Sequence, residues 1–155
     1  MRERDRGVLG GTGHRELLHP IEMVEAGVRR YLSEVRPTEV ITGMAIGFDQ
    51  LVADVCAQLG VPFIAAVPFE GQESIWPTHA KVRFYNLLLK AKEVVVVSPG
   101  RYEAWKMLQR NCWIVDHSNT LLAYMEPGTI AGGTFHCWNY AKTKNVPIVN
   151  LVDRL

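Results

Sequence analysis

Residues 39–67 run Glu39-Val40-Ile41-Thr42-Gly43-Met44-Ala45-Ile46-Gly47-Phe48-Asp49, then Gln50 to Gly60, then Val61-Pro62-Phe63-Ile64-Ala65-Ala66-Val67. The β-rich run Glu39 to Thr42 predicts a strand. The glycine-bounded turn after it leads to Leu51, Val52, Val55 and Leu59, whose spacing lays an apolar stripe along one helix face. Gly60 is placed to cap that helix, and Pro62 to Val67 reads as the next strand. A strand, a helix and a strand in this order form a βαβ unit, which requires a parallel sheet.

The same alternation continues outward in both directions. Gly7-Val8-Leu9-Gly10 predicts a first strand, and Ile21, Val24, Val28, Leu32 and Val35 a first helix closed by Pro37. On the other side Trp76-Pro77 opens a helix that continues through Val82, Tyr85 and Leu88 or Leu89. Glu93 to Ser98 carries four valines and predicts a central strand buried on both faces. A helix is expected over Glu103 to His117, a strand over Thr120 to Tyr124, a helix from Phe135 and Trp138, and a last strand over 147–151. The fold class that follows is α/β. One Rossmann-like, doubly wound, mainly parallel sheet carries helices on both faces, with a ligand crevice at the C-terminal ends of its strands.

With 155 residues, 48% hydrophobic and 21% charged, the chain is expected to form a single domain over 1–155, with residues 1–6 as a flexible tail. The apolar run after that tail ends at Gly10-Gly11, too short for a secretory signal. No run reaches the roughly 18 apolar residues of a membrane span, so a soluble cytoplasmic protein is expected. A net charge of +1 supplies no strong field for duplex DNA. Cys56, Cys112 and Cys137 lack CxxC spacing, and the five histidines lack ligand spacing, so neither a disulfide framework nor a metal site is expected.

Three polar, glycine-rich clusters sit where strands give way to helices, positions at which backbone N–H groups and the helix dipole favour an anion. The first is Gly10-Gly11-Thr12-Gly13-His14-Arg15, which offers close backbone approach together with a hydroxyl, an imidazole and a guanidinium. It has neither the GxGxxG spacing of a dinucleotide fingerprint nor the Gly-Lys-Ser/Thr of a P-loop. The second, Thr42-Gly43-Met44-Ala45-Ile46-Gly47-Phe48-Asp49, puts Asp49 in a first helical turn, where it can cap the helix or accept hydrogen bonds from ligand hydroxyls. The third, Ala131-Gly132-Gly133-Thr134, reads as a phosphate cradle at a helix start. Pro68, Phe69 and Gln72 on one loop, with Arg110 and Asn111, are placed to reach the same crevice. The three clusters are expected to converge there.

These residues carry a family resemblance. Thr42 to Asp49 resembles the Ser-Gly-x-Ala-x-Gly-Ile-Asp turn of DprA-type DNA-processing proteins, and Arg110-Asn111 resembles the Arg-Asn pair downstream in them. Gly132-Gly133-Thr134 resembles the phosphate-binding turn of the Lonely Guy phosphoribohydrolases, which belong with DprA to the SLOG superfamily of Rossmann-like domains. Gly11 to Arg15, the loop from Pro68-Phe69 to Trp76, and the Gly-Gly-Thr turn are similar in order and spacing to the YpsA-like branch of that superfamily.

The resemblance implies a nucleotide or nucleotide-derived phosphate ligand, held by Gly11 to Arg15, Thr42, Gly43, Met44, Gly47, Asp49, Pro68, Phe69, Gln72, Arg110, Asn111 and Gly132 to Thr134, with Arg110 on the phosphate. Where the hydrolases carry the glutamate that assists cleavage of the N-glycosidic bond, this chain has Cys137, and their lysine corresponds to Asn111. A neutral thiol cannot replace a carboxylate in that chemistry. Binding as a sensor or sequestering protein, without cofactor or metal and as a homo-oligomer, is therefore the expectation. Phosphoribohydrolase activity through Asp116, Glu70 or Glu73 is one alternative. A single-stranded nucleic-acid module is the other, and it would need a basic groove with stacking aromatics such as Trp76, Trp105, Trp113 or Trp138.

Overall fold

Six strands, β1 (Val8–Gly13), β2 (Glu39–Thr42), β3 (Phe63–Val67), β4 (Glu93–Val96), β5 (Thr120–Tyr124) and β6 (Ile148–Asn150), pair in parallel in the order β4-β3-β2-β1-β5-β6. The computed structural model describes residues 7–155, and the tail expected over residues 1–6 lies outside them. The connecting helices are α1 (Ile21–Val35), α2 (Phe48–Leu59), α3 (Thr78–Lys90), α4 (Ala104–Asp116) and α5 (Gly133–Thr143), and a 3-10 helix, Leu151–Arg154, follows β6. This is the expected α/β Rossmann-like architecture.

Each helix buries the stripe that its sequence period provides. Val24, Val28 and Leu32 of α1, Val52, Val55 and Cys56 of α2, and Phe84 and Leu87 of α3 cover one face of the sheet in a common core. Ile114 and Val115 of α4 and Cys137 and Ala141 of α5 cover the other face over Ile41, Ala66 and Leu121. Successive strands step outward from β1 to β4, after which the chain returns to β5 on the far side of β1. The order therefore reverses at β1. The carboxyl ends of β1 and its neighbours open the crevice where ligands of such sheets bind.

Three expectations are corrected. The four-valine strand is not central: β4 pairs only with β3 and forms an edge, with Val94 45% exposed. Apolar β-branched residues suit any half-covered pleated surface, and they do not report a strand's place in the order. Second, α3 turns inward the stripe of Ala80, Phe84 and Leu87, leaving Val82, Tyr85 and Leu89 exposed. Third, the glycines of residues 10–13 are not a turn before a helix. They continue β1, pairing Gly11 with Leu122 and Gly13 with Tyr124, and α1 begins only at Ile21.

Packing explains glycine at that strand end. A Cβ on Gly13 would lie 2.5 Å from Phe48 Cγ, and the Phe48 ring is fully buried against Tyr124. Gly13→Ala is accordingly expected to cost about 1 to 3 kcal/mol of stability, as overpacked cores do. A urea midpoint equal to that of the wild type would show that α2 yields freely.

Candidate functional site

The end of β1, the β2–α2 turn, the β5–α5 loop and one face of α4 enclose a polar cavity of about 270 Å³. Thr12, Gly13, His14 and Arg15 line it from the first cluster, Ala45 and Asp49 from the second, and Ala131 to Thr134 from the third, with Met107, Leu108, Arg110 and Asn111 from α4. The three clusters thus meet at one crevice beside the point where the strand order reverses.

Arg110 is the structural centre of the cavity floor. It is buried, and its Nη1 donates to the carbonyls of Gly43 (2.6 Å) and Ala66 (3.2 Å) and to Gln72 Oε1 (3.4 Å), while Nε donates to Asn111 Oδ1 (3.1 Å). Asn111 in turn donates to the Gly133 carbonyl at 3.2 Å, tying the floor to the start of α5. Burial pushes the Arg110 guanidinium below its ordinary range, with the negative charge of Asp49 opposing that shift. Gly43 is needed for this arrangement, since a Cβ there would lie 2.5 Å from Arg110 Nη1 and 2.9 Å from Asp49 Oδ2. Arg110 and Asp49 meet across the space where a side chain at residue 43 would stand.

Asp49 is 7% exposed. Its Oδ2 accepts from the Ala45 N–H at 3.3 Å, and its backbone carbonyl accepts from the Thr42 hydroxyl at 2.9 Å. Its other carboxylate oxygen, Oδ1, is buried and has no partner among the described residues. Burial raises the carboxyl from its ordinary 3.8 to about 6, against the lowering influence of Arg110, the Ala45 N–H and Arg15. Asp49 lines the cavity, while this unsatisfied oxygen lies buried beneath its surface, a cost that the Arg110 charge partly offsets.

Two helices begin at the cavity, and they differ. The first N–H of α2, on Phe48, already donates to the His14 carbonyl at 3.1 Å. Among the described residues, nothing accepts from the N–H groups of Gly133, Thr134 or Phe135 at the start of α5, whose N-cap is Gly132. The positive end of α5 is the open one. Arg15, exposed and without an ion pair among the described residues, stands on the same cavity.

The loop leading to α5 is fastened to the first cluster. His14 Nε2 accepts from the Glu126 N–H at 3.0 Å, which places the imidazole proton on Nδ1. Tyr124, fully buried, donates its hydroxyl to Glu126 Oε1 at 2.6 Å and lies 2.6 Å from His19 Nδ1. These contacts hold the β1–α1 and β5–α5 loops together as opposite walls.

Other expected site residues lie around the cavity rather than on it. Thr42, Gly43 and Met44 are buried below it, and Gly47 lines a neighbouring cavity with Leu17, Ile46 and Arg83, which Arg15 also borders. Pro68 is buried, Gln72 donates to the Gly43 carbonyl at 3.4 Å, and Phe69 and Gln72 line an apolar neighbouring cavity. Met107 and Leu108 were not singled out in the sequence, although they share a helix face with Arg110-Asn111 at three- and four-residue spacing. Lys106 is another such residue: buried, it donates to the carbonyls of Pro99 (2.9 Å) and Arg101 (2.7 Å) and fixes the loop before α4.

The alternative carboxylates are elsewhere. Asp116, at the far end of α4, is exposed and accepts from Tyr140 at 2.8 Å; Glu73 accepts from Tyr85, and Glu70 is exposed. None of the three lines the cavity, and among the described residues Asp49 is the one carboxylate that does. Cys137 lies buried one turn into α5, where burial pushes its thiol up to about 12 against the lowering influence of the Thr12 hydroxyl. It is a protonated packing residue at neutral pH. Of the tryptophans, Trp76 is buried, Trp113 and Trp138 are half-buried, and Trp105 is exposed on α4. Among the described residues no helix is long and apolar enough to cross a membrane.

The YpsA family model, described as the YspA SLOG family, matches residues 15–152, from Arg15 at the cavity to the turn after β6. The chain belongs to this family. It is 28% identical over 134 residues to the SPbeta prophage-derived protein YoqJ of Bacillus subtilis strain 168, covering 76% of this chain and 77% of that one. Among solved structures, DNA processing protein A from Helicobacter pylori, described for its single-stranded DNA binding mode, superposes with a TM-score of 0.69 at 13% identity. That match covers 98% of this chain and 72% of the other. The molybdenum cofactor binding protein of Rippkaea orientalis gives a TM-score of 0.60 at 15% identity, over 95% of this chain and 79% of the other. At such identities these two likenesses concern the fold.

Proposed function

We propose that the chain binds a phosphorylated ligand bearing a ribose-like hydroxyl, a nucleotide or a nucleotide-derived signal, in the polar cavity, and acts as its sensor or sequestering protein. The observation that carries this reading is the open N-terminus of α5 on the same cavity as Arg15, unpaired among the described residues, and the Asp49 carboxylate. A phosphate takes the N–H groups of Gly133 and Thr134, Arg15 adds a mobile cation at the entrance, and a ligand hydroxyl donates to Asp49. Arg110 holds the floor in place through Nε and Nη1, and its charge balances Asp49. Its Nη2, without a hydrogen bond among the described residues, joins Arg15 and the α5 backbone on the phosphate.

A thermal-shift series with AMP, GMP, CMP, UMP and a short single-stranded oligonucleotide tests the reading, because a ligand bound only by the folded state raises the melting temperature. At least one mononucleotide is expected to stabilise the protein. Arg15→Ala is expected to weaken that binding about tenfold to a hundredfold while leaving the unliganded melting temperature unchanged. Stabilisation by the oligonucleotide alone would move the family's DNA-binding neighbour to the front.

Hydrolysis remains a second reading because Asp49 is a carboxylate held near a pKa of 6 at the cavity wall. Chromatography of AMP incubated with the protein is expected to show no free adenine. Turnover that Asp49→Asn abolishes would replace binding by N-glycosidic cleavage.

A further inference from the structure

Beside the polar cavity lies a second one of about 310 Å³ with a different chemistry, lined by Phe69, Ile75, Trp76, Tyr102 and Met107 together with Arg15. Arg15 and Met107 belong to both walls. We infer that this apolar cavity is the subsite for a planar heteroaromatic base, so that one nucleotide spans both cavities across Arg15. The inference rests on the phosphate-binding reading given above and adds to it the part of the ligand that the polar cavity cannot hold.

Size is the first argument. Ligand pockets commonly measure about 300 to 1,000 Å³, so the polar cavity falls just short of that range and the apolar one only enters it. The polar cavity alone suits a sugar phosphate. Two cavities with a common wall suit a molecule with one anionic and one aromatic end.

The second argument is the surface offered. Phe69 and Tyr102 meet edge to face, with ring centroids 5.4 Å apart, and Tyr102 remains 62% exposed at the rim. Trp76 is fixed below by its edge-to-face contact with Phe84 at 5.4 Å. Aromatic rings and a methionine next to a guanidinium form a surface on which the face of a base can stack. Ile75, which also lines the cavity, is 89% exposed and belongs to neither core cluster among the described residues.

The subsite is held in place before any ligand arrives. The Glu70 N–H donates to the Gly100 carbonyl at 3.0 Å, joining the loop of Phe69 to the loop of Tyr102. Lys106 grips the latter loop through the Pro99 and Arg101 carbonyls. Two loops from neighbouring strands thus present the aromatic rings at small ordering cost.

Calorimetric titration of the full chain with ribose 5-phosphate and with AMP, GMP, CMP and UMP tests this. The tightest nucleotide is expected to bind at least about tenfold more tightly than ribose 5-phosphate, as stacking of one base gives. Tyr102→Ala is expected to remove most of that advantage and leave ribose 5-phosphate binding unchanged. Tyr102→Phe, which keeps the ring, is expected to behave as wild type. If ribose 5-phosphate binds as tightly as every nucleotide, or if Tyr102→Ala weakens both ligands equally, the base subsite is wrong while the phosphate site stands. If neither ribose 5-phosphate nor any nucleotide binds, the underlying reading falls, and this inference with it.

Discussion

Arg110→Met is expected to destabilise the protein by about 3 kcal/mol or more, because it strips a charged donor from buried acceptors and leaves a buried carboxylate uncompensated. In the wild type the guanidinium is 5% exposed and serves the Gly43 and Ala66 carbonyls, at the ends of β2 and β3, in addition to Gln72 and Asn111. Methionine fills a comparable volume and supplies no donor. The carbonyls then lie buried without it, and Asp49 loses its nearest balancing charge. Urea denaturation at pH 7 measures the loss. The double variant Arg110→Met with Asp49→Leu is expected to recover a substantial part of it, since residues that share a charge balance do not contribute additively. Strict additivity would mean that the two groups are independent.

The second large effect is a dependence on pH. As pH rises from about 4 to 7.5, wild type is expected to lose on the order of 3 kcal/mol of stability relative to Asp49→Asn. Burial is the dominant cause: it raises Asp49 from 3.8 to about 6, so the folded state holds the proton more tightly than the unfolded chain. Below the unfolded value both states are protonated and the variant and wild type differ by a constant. Between 3.8 and 6 the folded state binds more protons, and stability falls as pH rises. Above 6 the carboxylate is ionised in both states, and the cost of keeping it buried is fully present. Asparagine does not titrate, so subtraction of the variant isolates this group from every other carboxylate. Urea series at pH 4, 5, 6 and 7.5 give the curve. A difference that stays flat across them would mean that Asp49 is solvated.

Both predictions concern features that the sequence suggested unevenly. The alternation of strands and helices was legible because a covered parallel sheet leaves short apolar runs and helix-period stripes that need no knowledge of distant partners. The convergence of the glycine clusters was legible for a related reason: in such sheets every strand-to-helix connection emerges at the same edge. What could not be read depends on partners far away in sequence. Gly13 is a strand glycine because Phe48 packs against it, and Gly43 is glycine because Arg110, 67 positions on, reaches its carbonyl. Val82, Tyr85 and Leu89 have the same helical spacing as Ala80, Phe84 and Leu87, so periodicity alone could not choose the buried face of α3. Lys106 looks in sequence like any solvated helix lysine, and only the path of the preceding loop buries it.

The site raises a further point about how stability and binding are related. A buried carboxylate lowers the stability of the protein above pH 6, and a ligand hydroxyl that donates to the Asp49 carboxylate offsets part of that cost. Binding and stability are then linked at neutral pH, and ligand is expected to flatten the pH dependence described above.

The most direct test of the phosphate-binding cavity is a crystal structure of the full chain grown with AMP. The phosphate is expected within hydrogen-bond distance of the Gly133 and Thr134 N–H groups, with a ribose hydroxyl on the Asp49 carboxylate. AMP bound instead in the cavity of Leu17, Ile46 and Arg83, or with its phosphate away from the start of α5, would contradict the account.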